Sequence, residues 1–558
     1  MSSQRAARDL LVCVSLVNLC FLRVWAQLLP GATPVSNLYY MRGPPARLHY
    51  VAALLGVALL AGAAWGLGSW ARRSGSRGFE NAARAGFLGA LLLAANAVLD
   101  QLPFGLRSAL HGNLAAAGVA LLALACAGAA AWSLWRRPAR LFRVAEGVAL
   151  ALSPFALLTA SQAIWTLARH DGHSFGAAVF RSPASASALP ARGPGSPRVV
   201  WIVFDELEQR AAFSERPPDL VLPAFDRLRS EALFATHAYP PAGDTRLSMA
   251  AYLLGLPVER VEPKGVATLA CALEGGGGSE DCWEDFPNLF ARARDAGFNA
   301  AVAGWYHPYC RLFERALTAC AWAGLPYWEE ESWGDSIGRL WEELLRPVPL
   351  VRTWLSPSER SRRAHLRAYR EILGAALAMV SDPAIGLALL HFPVPHRPDI
   401  FDRQRGVESV EGRNSYLDNL ALADRTLAAL RRELERGGLW DATTLIVTSD
   451  HWWRALNRDG WGLDPEEREL LDGRFDKRVP FLVRLPGQTR SQRYEPSFNT
   501  LLLHDLVLER LAARLGSPGE LVAWLDARRT SLRNPHLQVG TEPRARAGQA
   551  RIAAGPGF

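Results

Sequence analysis

Long apolar runs alternate with arginine-rich segments over the first third of the chain. Three of the runs carry no charged residue, and each is long enough to cross a hydrocarbon core of roughly 30 Å. Two more runs contain polar groups, Arg23 in one and Asp100 in the other, which can face a helix bundle or reach the interface. The pattern predicts five membrane spans, at residues 10–29, 48–70, 85–104, 113–135 and 147–168.

The arginines also predict an orientation for these spans. With five spans, the N-terminus and the loops near 71–84 and 136–143 share one side and hold ten arginines, whereas the opposite loops hold three. Because positive residues favour the cytoplasmic side, everything after residue 170 is expected outside the plasma (inner) membrane. A cleaved signal peptide is the alternative for the first run, although no clear small-residue cleavage site follows it.

The pattern changes after the last apolar run. Residues 171–197 mix Ser, Ala, Pro and Gly without a sustained period, which is typical of a linker. The sequence RVVWIVF at 198–204 is a short run rich in β-branched residues and predicts a buried strand. Further strands are predicted at 299–304, 385–391, 443–449 and 479–484, and helices at 222–234, 246–254, 285–296, 358–381, 415–437 and 500–515.

This alternation of helices and strands favours an α/β fold with a mostly parallel sheet. The expected organisation is therefore an α-helical membrane domain at 1–170, a linker at 171–197 and an outer α/β domain at 198–558. A chain of 558 residues with 49% hydrophobic residues is neither disordered nor a single small domain.

Net charge gives no sign of a nucleic-acid partner. The formal charge is +8, but residues 1–170 alone contain 15 Arg against four acidic residues, so the rest of the chain carries a small negative charge. The basic excess belongs to the membrane part, where arginine reports orientation. We therefore expect no binding to nucleic acid.

Four cysteines of the outer domain are candidates for disulfides, which persist outside the cytoplasm. They are Cys271, Cys282, Cys310 and Cys320. Three pairings are possible, and the short loops favour the first cysteine with the second and the third with the fourth. A four-cysteine zinc site is the alternative, although no close Cys-x-x-Cys pair is present.

Polar clusters follow three of the predicted strands. Asp205 ends the first strand, Asp450 and His451 follow TTLIVTS, and His391 and His396 lie in HFPVPHRP. In parallel sheets, ligands gather at the carboxyl ends of strands. Two carboxylates with one imidazole suit a divalent cation. Taken alone, an Asp-His pair is more often a cap or a solvated turn.

The segment HAYPPAGDTRLSMAAYLLGLP, between the first strand and SDHWWR, resembles the nucleophile segment of the alkaline-phosphatase-like and sulfatase superfamily. Other pieces fit in order and extend the resemblance over roughly residues 198–515: VVWIVFDE, LPAFDRLRSEALFATHAY, HFPVPHRP, LIVTSDHWWR and KRVPFLVRLPG. Five spans followed by such a domain are similar to the layout of lipoteichoic acid synthases and lipid A phosphoethanolamine transferases.

The resemblance implies a nucleophile and a ligand set. Thr245 stands where sulfatases hold the Cys or Ser that becomes formylglycine, and of their following pattern only Ser248 matches. Membrane phosphoglycerol and phosphoethanolamine transferases use Thr there, and their metal set ends in Asp-His. The implied ligands of one divalent ion (Mn, Mg, Ca or Zn) are Asp205, Thr245, Asp450 and His451, with Glu206 less favoured.

Residue chemistry supports the same role for Thr245. A threonine hydroxyl is a poor nucleophile until a metal lowers its pKa, and a helix that begins at this point would direct backbone N–H groups towards an anion. The alternative is an ordinary N-cap threonine. By resemblance, His396 would protonate the leaving group, and His391, Arg454 and Lys477 are candidates for substrate binding.

The predicted function is transfer or hydrolysis of a phospho group through a covalent Thr245 intermediate. Membrane attachment favours a membrane lipid or an envelope glycan as substrate, with the bilayer itself as a partner. Three alternatives stay open: a sulfatase-like ester hydrolase, a two-metal phosphodiesterase, and a non-catalytic envelope-assembly or binding protein with the same fold.

Overall fold

The computed structural model describes residues 3–29, 40, 47–99, 138–169, 186–191, 193, 195–265, 267–324, 333–345, 358–412, 414–454, 463–471 and 476–529. These residues form two compact units. One, the helical unit, contains the helices before residue 170 and the helix Trp333–Leu345. The other, which we call the catalytic unit after the function predicted from its sequence, contains Tyr40 and the remaining described residues. The predicted boundaries instead place Tyr40 in the membrane domain and residues 333–345 in the outer domain.

The helical unit has six helices before residue 170 among the residues that the structure describes. They are α1 (Ser3–Cys20), α2 (Leu22–Leu28), α3 (Arg47–Arg73), α4 (Arg77–Leu99), α5 (Pro138–Ala151) and α6 (Ser153–Ala168).

Two stretches of these helices are long and apolar enough to cross a membrane: α3, and residues 142–168 in α5 and α6. The pair α1 and α2, bent by 61°, adds a third if it counts as one span. The predicted spans at 48–70 and 147–168 are thus confirmed as apolar helices of sufficient length. Of the others, 85–99 lies in α4, while 100–104 and 113–135 lie outside the described residues.

Several polar groups inside the helical unit pair with one another. The indole of Trp25 and the hydroxyl of Thr159 both donate to Asn18 Oδ1, at 2.8 and 3.0 Å. Arg23, the charge within the first predicted span, lies 3.6 Å from the buried carboxylate of Glu343. This ion pair shows how that apolar run accommodates its charge.

The catalytic unit alternates strands with helices. Its strands are β1 (Arg198–Asp205), β2 (Leu233–Tyr239), β3 (Val258–Pro263), β4 (Leu269–Leu273), β5 (Gly278–Ser279), β6 (Asn299–Trp305), β7 (Ala319–Ala323), β8 (Ile385–Pro395), β9 (Phe401–Asp402), β10 (Val407–Glu408), β11 (Thr443–Ser449), β12 (Val479–Arg484), β13 (Gln492–Tyr494) and β14 (Phe498–Asn499). Its helices are α7 (Pro223–Glu231), α8 (Thr245–Leu254), α9 (Cys282–Asp285), α10 (Leu289–Asp295), α11 (Tyr309–Leu312), α13 (Ser358–Ser381), α14 (Tyr416–Arg436), α15 (Pro465–Leu471), α16 (Leu503–Leu511) and α17 (Pro518–Arg528), and α12 is Trp333–Leu345 of the helical unit.

The main sheet runs in the order β13-β2-β12-β11-β1-β8-β6-β7, with β14 also paired to β2. Strand β1 is parallel to both β11 and β8, and β12 is antiparallel to its two neighbours. Every residue of β1 is buried, because its side chains alternate between the cores on the two faces of the sheet. The predicted α/β fold with a mostly parallel sheet is confirmed.

The largest difference from the predicted elements is at 222–234. The helix ends at Glu231, and residues 233–239 form β2, which pairs with β12 inside the sheet. No Gly or Pro separates the two elements, so the pattern gave no boundary. Strand β7, the small sheet β3-β4-β5 and helices α12, α15 and α17 were also not predicted.

Two further expectations concern covalent and local structure. Disulfides join Cys271 to Cys282 and Cys310 to Cys320, as the short loops favoured, which excludes a zinc site on these thiols. In the predicted linker, the backbone of Leu189 exchanges two hydrogen bonds with the side chain of Asn299, at 2.8 and 2.9 Å. This end of the segment is therefore fixed on the catalytic unit, and residues 171–185 lie outside the described residues.

Candidate active site

Strands β1 and β11 end side by side and bring their acidic residues together. In the parallel register Phe204 is opposite Ser449, so Asp205 and Asp450 emerge at the same edge of the sheet. The Ser449 hydroxyl joins the two strand ends, since it donates to Phe204 O at 2.7 Å and accepts from Leu207 N at 2.9 Å. Topology therefore explains why dipeptides about 245 residues apart meet.

A sharp turn follows β1. Glu206 has φ = +65°, a left-handed conformation that is uncommon for a residue with a side chain. Its backbone N–H donates to Asp450 Oδ1 at 3.2 Å, and Arg454 Nε donates to its carboxylate at 3.3 Å. The turn thus separates Asp205 from Glu206 and pairs the less favoured ligand with an arginine.

Thr245 is the first residue of α8, but it does not cap the helix. The N-cap is Asp244, whose carboxylate accepts from Leu247 N at 3.0 Å. The loop before α8 is closed by Ser248, whose hydroxyl bonds both the N–H and the carbonyl of Ala242 at 3.1 Å. The alternative interpretation of Thr245 as an ordinary N-cap is therefore wrong, and its hydroxyl is available for another role.

The Thr245 hydroxyl points into the acidic cluster. Its Oγ1 lies 3.3 Å from Asp205 Oδ2 and 3.3 Å from His451 Nε2. His451 Nε2 in turn lies 3.4 Å from Asp205 Oδ1 and 3.5 Å from Asp450 Oδ2. We call these four residues the site cluster; Thr245 is 3% exposed and the other three are fully buried. The structure thus brings together all four predicted ligands.

Burial determines the protonation of this cluster. It lowers the pKa of His451 well below its usual value, so the imidazole is neutral. His451 Nδ1–H donates to Trp452 O at 2.9 Å, which leaves the Nε2 lone pair facing the two carboxylates. Burial also raises the pKa of Asp450 to about 7, and the Thr245 hydroxyl, two backbone N–H groups and Arg454 offset this rise only in part.

The donor set fits a divalent cation. Ligand atoms of Asp205, Asp450 and His451 all lie within 4.8 Å of one another, the one such group of three or more found among the described residues. Two carboxylate oxygens, one imidazole nitrogen and the adjacent hydroxyl make a set for a hard or borderline ion. A bound cation would supply the positive charge that two buried carboxylates need.

His396 lies at the end of β8 beside the site cluster. Its backbone N–H donates to Asp205 O at 3.0 Å, and its ring packs edge-on against Trp305, with centroids 5.2 Å apart. Its Nδ1 lies 2.5 Å from Arg397 O, so Nδ1 carries a proton and Nε2 is the nitrogen that can exchange one. The residue is half-buried.

The three predicted substrate-binding residues lie in different surroundings. Arg454 borders the cluster: burial would lower its pKa, but nearby carboxylates, Glu206 first, raise it. Lys477 is half-buried, with Nζ 5.7 Å from the centroid of the Trp452 ring. His391 is fully buried within β8 and bonds Tyr309 at 2.8 Å. The structure does not bring His391 to a position that substrate can reach.

Two aromatic residues at the site had no recognisable signal in the sequence. Trp452 covers the loop before Thr245 so closely that a Cβ at Gly243 would lie 2.7 Å from its ring, so this position requires glycine. Tyr306 has φ = +74°, and burial raises its pKa to about 12. Arg246 partly offsets this rise.

Tyr40, from the segment between the first two predicted spans, is fully buried in the catalytic unit. Its hydroxyl accepts from Trp283 Nε1 at 2.9 Å and bonds His307 Nδ1 at 3.0 Å. His307 Nε2 then lies 3.2 Å from Arg246 O in the first turn of α8. A chain of hydrogen bonds therefore connects Tyr40 to the backbone next to Thr245, and sequence patterns give no sign of it.

Comparisons with known proteins agree with this architecture. A family model described as Sulfatase matches residues 197–508. Among curated proteins, bis(5'-adenosyl)-triphosphatase ENPP4 of Bos taurus is 28% identical over 153 residues, which are 25% of this chain and 31% of that protein. The chain therefore spans about a third of the length of that relative.

Two of the solved structures that the chain matches are a phosphonate monoester hydrolase and a sulfatase. The phosphonate monoester hydrolase of Agrobacterium radiobacter is 16% identical, with a TM-score of 0.37, over 57% of this chain and 74% of that chain. The PsFucS1 sulfatase from Pseudoalteromonas sp. is 17% identical, with a TM-score of 0.39, over 57% of this chain and 68% of that chain.

Proposed function

The chain belongs to the sulfatase family, whose members are hydrolytic enzymes, and we propose that it transfers or hydrolyses a phospho group with Thr245 as the covalent nucleophile. One observation carries the proposal: the Thr245 hydroxyl does not cap α8, and it lies 3.3 Å from both Asp205 and His451. The hydroxyl therefore lies beside a carboxylate and a neutral imidazole, within a group of side chains that can bind a metal ion. Nucleophilic catalysis by threonine needs such an arrangement.

The site cluster would hold one divalent ion through Asp205, Asp450, His451 and Thr245. When bound, the ion supplies positive charge that favours the ionised threonine hydroxyl and the phospho oxygens. His451 keeps its Nε2 lone pair available because Nδ1–H is held by Trp452 O. The ion is Mn, Mg, Ca or Zn, all of which accept carboxylate oxygens.

The first step forms the phospho-enzyme. Thr245 Oγ1 bonds to phosphorus while the bond from phosphorus to the leaving oxygen breaks. The hydroxyl proton passes to Asp205, whose Oδ2 already accepts from Thr245 at 3.3 Å. His396 Nε2–H gives a proton to the leaving oxygen, so an alcohol departs. The first turn of α8 directs backbone N–H groups towards the phospho oxygens.

The second step releases the group from Thr245. A water or an acceptor alcohol attacks phosphorus, His396 Nε2 takes its proton, and the bond from Thr245 Oγ1 to phosphorus breaks with return of a proton to the threonine. Water gives hydrolysis and an alcohol gives transfer. Arg454, which borders the cluster, and Lys477 beside Trp452 are the proposed contacts for the anionic part of the substrate.

Several features favour a phospho group over a sulfate ester. A sulfatase needs a Cys or Ser that becomes formylglycine, and Thr245 stands at that position. The cluster also ends in Asp450-His451, the pair that resembles the membrane phosphoglycerol and phosphoethanolamine transferases. The curated relative acts, by its name, on a triphosphate. Sulfate ester hydrolysis is the alternative.

Membrane attachment makes a membrane lipid or an envelope glycan the proposed substrate, with the catalytic unit outside the plasma (inner) membrane. Tyr40 supports the number of spans on which this orientation depends. It precedes four of the five predicted spans, yet it packs within the catalytic unit that follows them. An even number of crossings must therefore separate Tyr40 from Arg198, and four predicted spans satisfy this parity.

The test uses the detergent-purified full chain with Mn²⁺ or Mg²⁺ and three chromogenic substrates: p-nitrophenyl phosphate, bis-p-nitrophenyl phosphate and p-nitrophenyl sulfate. Intact mass and peptide mapping after incubation with envelope lipids would identify any adduct. We expect a phospho adduct on the Thr245 peptide, retained in Thr245→Ser and absent from Thr245→Val, which keeps the side-chain shape without the hydroxyl.

Each other outcome is informative. Turnover of the sulfate ester alone would replace the phospho proposal with the sulfatase alternative. Phospho turnover that persists in Thr245→Val would show a direct attack by water and overturn the covalent route. No turnover and no adduct, with bound metal measured by elemental analysis, would favour a binding or envelope-assembly role.

A further inference from the structure

Helix α12 exposes three large apolar side chains along one side. Trp333, Ile337 and Trp341 are 48%, 47% and 47% exposed, and their spacing of four residues aligns them. Two tryptophans and an isoleucine in one stripe are more apolar surface than a short helix normally presents to water. The stripe therefore calls for an apolar partner.

The neighbouring side of α12 is packed in the helical unit. Leu340, 5% exposed, joins a core that includes Phe21 and Tyr50. Glu343, 1% exposed, lies 3.6 Å from Arg23. Although α12 follows β7 of the catalytic unit in sequence, its contacts are with α2 and α3. The exposed stripe is thus on a helix already fixed against candidate membrane spans.

The contact with α3 gives the depth of α12. A Cβ at Gly56 would lie 3.9 Å from Leu340 Cδ1. Gly56 is nine residues into α3, or roughly 14 Å along a helix of about 40 Å. With the hydrocarbon core of roughly 30 Å centred on α3, Leu340 lies about 8 Å below its edge, which is within the depth range of interfacial helices.

The side of the membrane follows from the sequence order. The Arg47 end of α3 is seven positions after Tyr40, which packs within the catalytic unit. Gly56 is nearer to that end than to Arg73. At the same level, α3 exposes Leu55 and Leu59, at 48% and 70%. Both lie within about 5 Å of Gly56 along the α3 axis, and hence near the depth of Leu340.

We propose that α12 is an interfacial helix that inserts Trp333, Ile337 and Trp341 into the headgroup–acyl boundary on the side of the catalytic unit. The inference rests on the membrane attachment in the proposed function. Tryptophan favours this zone because its ring is apolar and its N–H can reach water or headgroups. The chain would return to the membrane surface between β7 and α13.

The experiment measures lipid exposure in the full chain. Cys13, Cys20 and Cys126 are replaced by Ala, a single cysteine is introduced, and a bimane label is attached after reconstitution in phosphatidylethanolamine–phosphatidylglycerol vesicles. Ile337→Cys tests the stripe, Leu59→Cys tests α3, and Val407→Cys, at an exposed position (43%) of the catalytic unit, is the matched control. Quenching by a lipid with a nitroxide at acyl carbon 5 is compared with quenching by iodide.

We expect the label at 337 to be quenched by the nitroxide lipid at least twice as strongly as the label at 407, and less strongly by iodide. Equal behaviour at 337 and 407, with quenching at 59, would overturn the interfacial helix and leave membrane attachment intact. A label at 337 shielded from both quenchers would show a protein partner or a second copy and would also overturn it. No lipid quenching at 59 would overturn membrane attachment itself. Turnover of bis-p-nitrophenyl phosphate by each labelled variant checks that the catalytic unit is folded.

Discussion

Two buried acidic clusters of the catalytic unit obtain their positive charge in different ways. In one, which we call the Arg397 cluster, Arg397 donates to both oxygens of Glu467 at 2.7 Å and lies 3.6 Å from Asp399. In the site cluster, the two aspartates lie beside a neutral imidazole and a hydroxyl, and the guanidinium that borders them, Arg454, is paired with Glu206. All of these carboxylates are 0–1% exposed.

This difference in the source of positive charge suggests a structural role for the Arg397 cluster and a binding role for the site cluster. Buried carboxylates lose hydration worth several kcal/mol each unless a cation or hydrogen bonds replace it. The Arg397 cluster contains its own cation, and Glu467 also accepts from the backbone N–H of Tyr416 at 2.7 Å. In the site cluster, the proposed divalent ion would supply this charge. Substitutions in the first should change stability, and those in the second should change activity and metal response.

The largest expected effect is on turnover. Thr245→Ala removes the proposed nucleophile, so kcat/KM for bis-p-nitrophenyl phosphate should fall by at least about 10³-fold. The melting temperature should change little, because Asp244 and not Thr245 caps α8. Thr245→Ser should retain measurable turnover. Loss of folding in Thr245→Ala, with turnover per folded molecule unchanged, would assign Thr245 to the structure.

The second expected effect is on stability. Arg397→Met removes the cation of the Arg397 cluster and leaves Glu467 buried without it, which should cost about 3–5 kcal/mol in free energy of unfolding. Urea denaturation, monitored by the fluorescence of the tryptophans in the catalytic unit, measures this free energy. The matched control is Arg493→Met, which breaks an exposed pair with Glu495 and should cost less than about 1 kcal/mol. Equal effects of the two substitutions would remove the distinction between the clusters.

The contrast also shows what sequence patterns could predict. Strands β1 and β11 were predicted because each has an apolar, β-branched centre and leads directly to an acidic residue, a pattern that is typical of buried parallel strands. The four members of the site cluster follow from those strand ends and from the resemblance around Thr245. Helix α8 was predicted within one residue, since its apolar period begins directly after the loop.

Other parts depend on contacts that no local pattern encodes. Strand β2 follows α7 without a breaking residue, and its identity depends on pairing with β12, almost 250 residues away. Tyr40 lies far from the catalytic unit in sequence, and its burial depends on Trp283 and His307. The Arg397 cluster requires α15 to meet the chain after β8. In each case long-range packing, not propensity, determines the structure.

The third effect is the response to metal. In wild-type protein, a divalent ion at 100 times its Kd should add about 2.7 kcal/mol to the free energy of unfolding. Asp450→Asn should lose most of this gain and, without metal, should be at least as stable, because burial already disfavours the charged carboxylate. Asp441→Asn, at an exposed position, is the control and should keep the gain. Thermal unfolding with and without Mn²⁺ measures both. A full metal response in Asp450→Asn would place the ion elsewhere.

The smallest effect concerns pH and the Arg397 cluster. The Arg397 guanidinium makes both of its short hydrogen bonds to Glu467, so Asp399 receives neither. Burial raises the pKa of Asp399 to about 7, against about 3.9 in an unfolded chain. The folded state therefore keeps a proton that the unfolded state releases, so this contribution to stability is complete below pH ~4 and is lost as pH rises through about 7.

Asp399→Asn mimics the protonated side chain and removes this loss. Between pH 5 and pH 6 the variant should gain about 1 kcal/mol in free energy of unfolding relative to wild type, measured by urea denaturation at both values. Other titrating groups cancel in the difference between the two proteins. A difference that stays constant with pH would mean that Asp399 is ionised in the folded state. Arg397 would then balance the charges of both Glu467 and Asp399. The two clusters would differ only in the kind of cation, a guanidinium in one and a metal ion in the other.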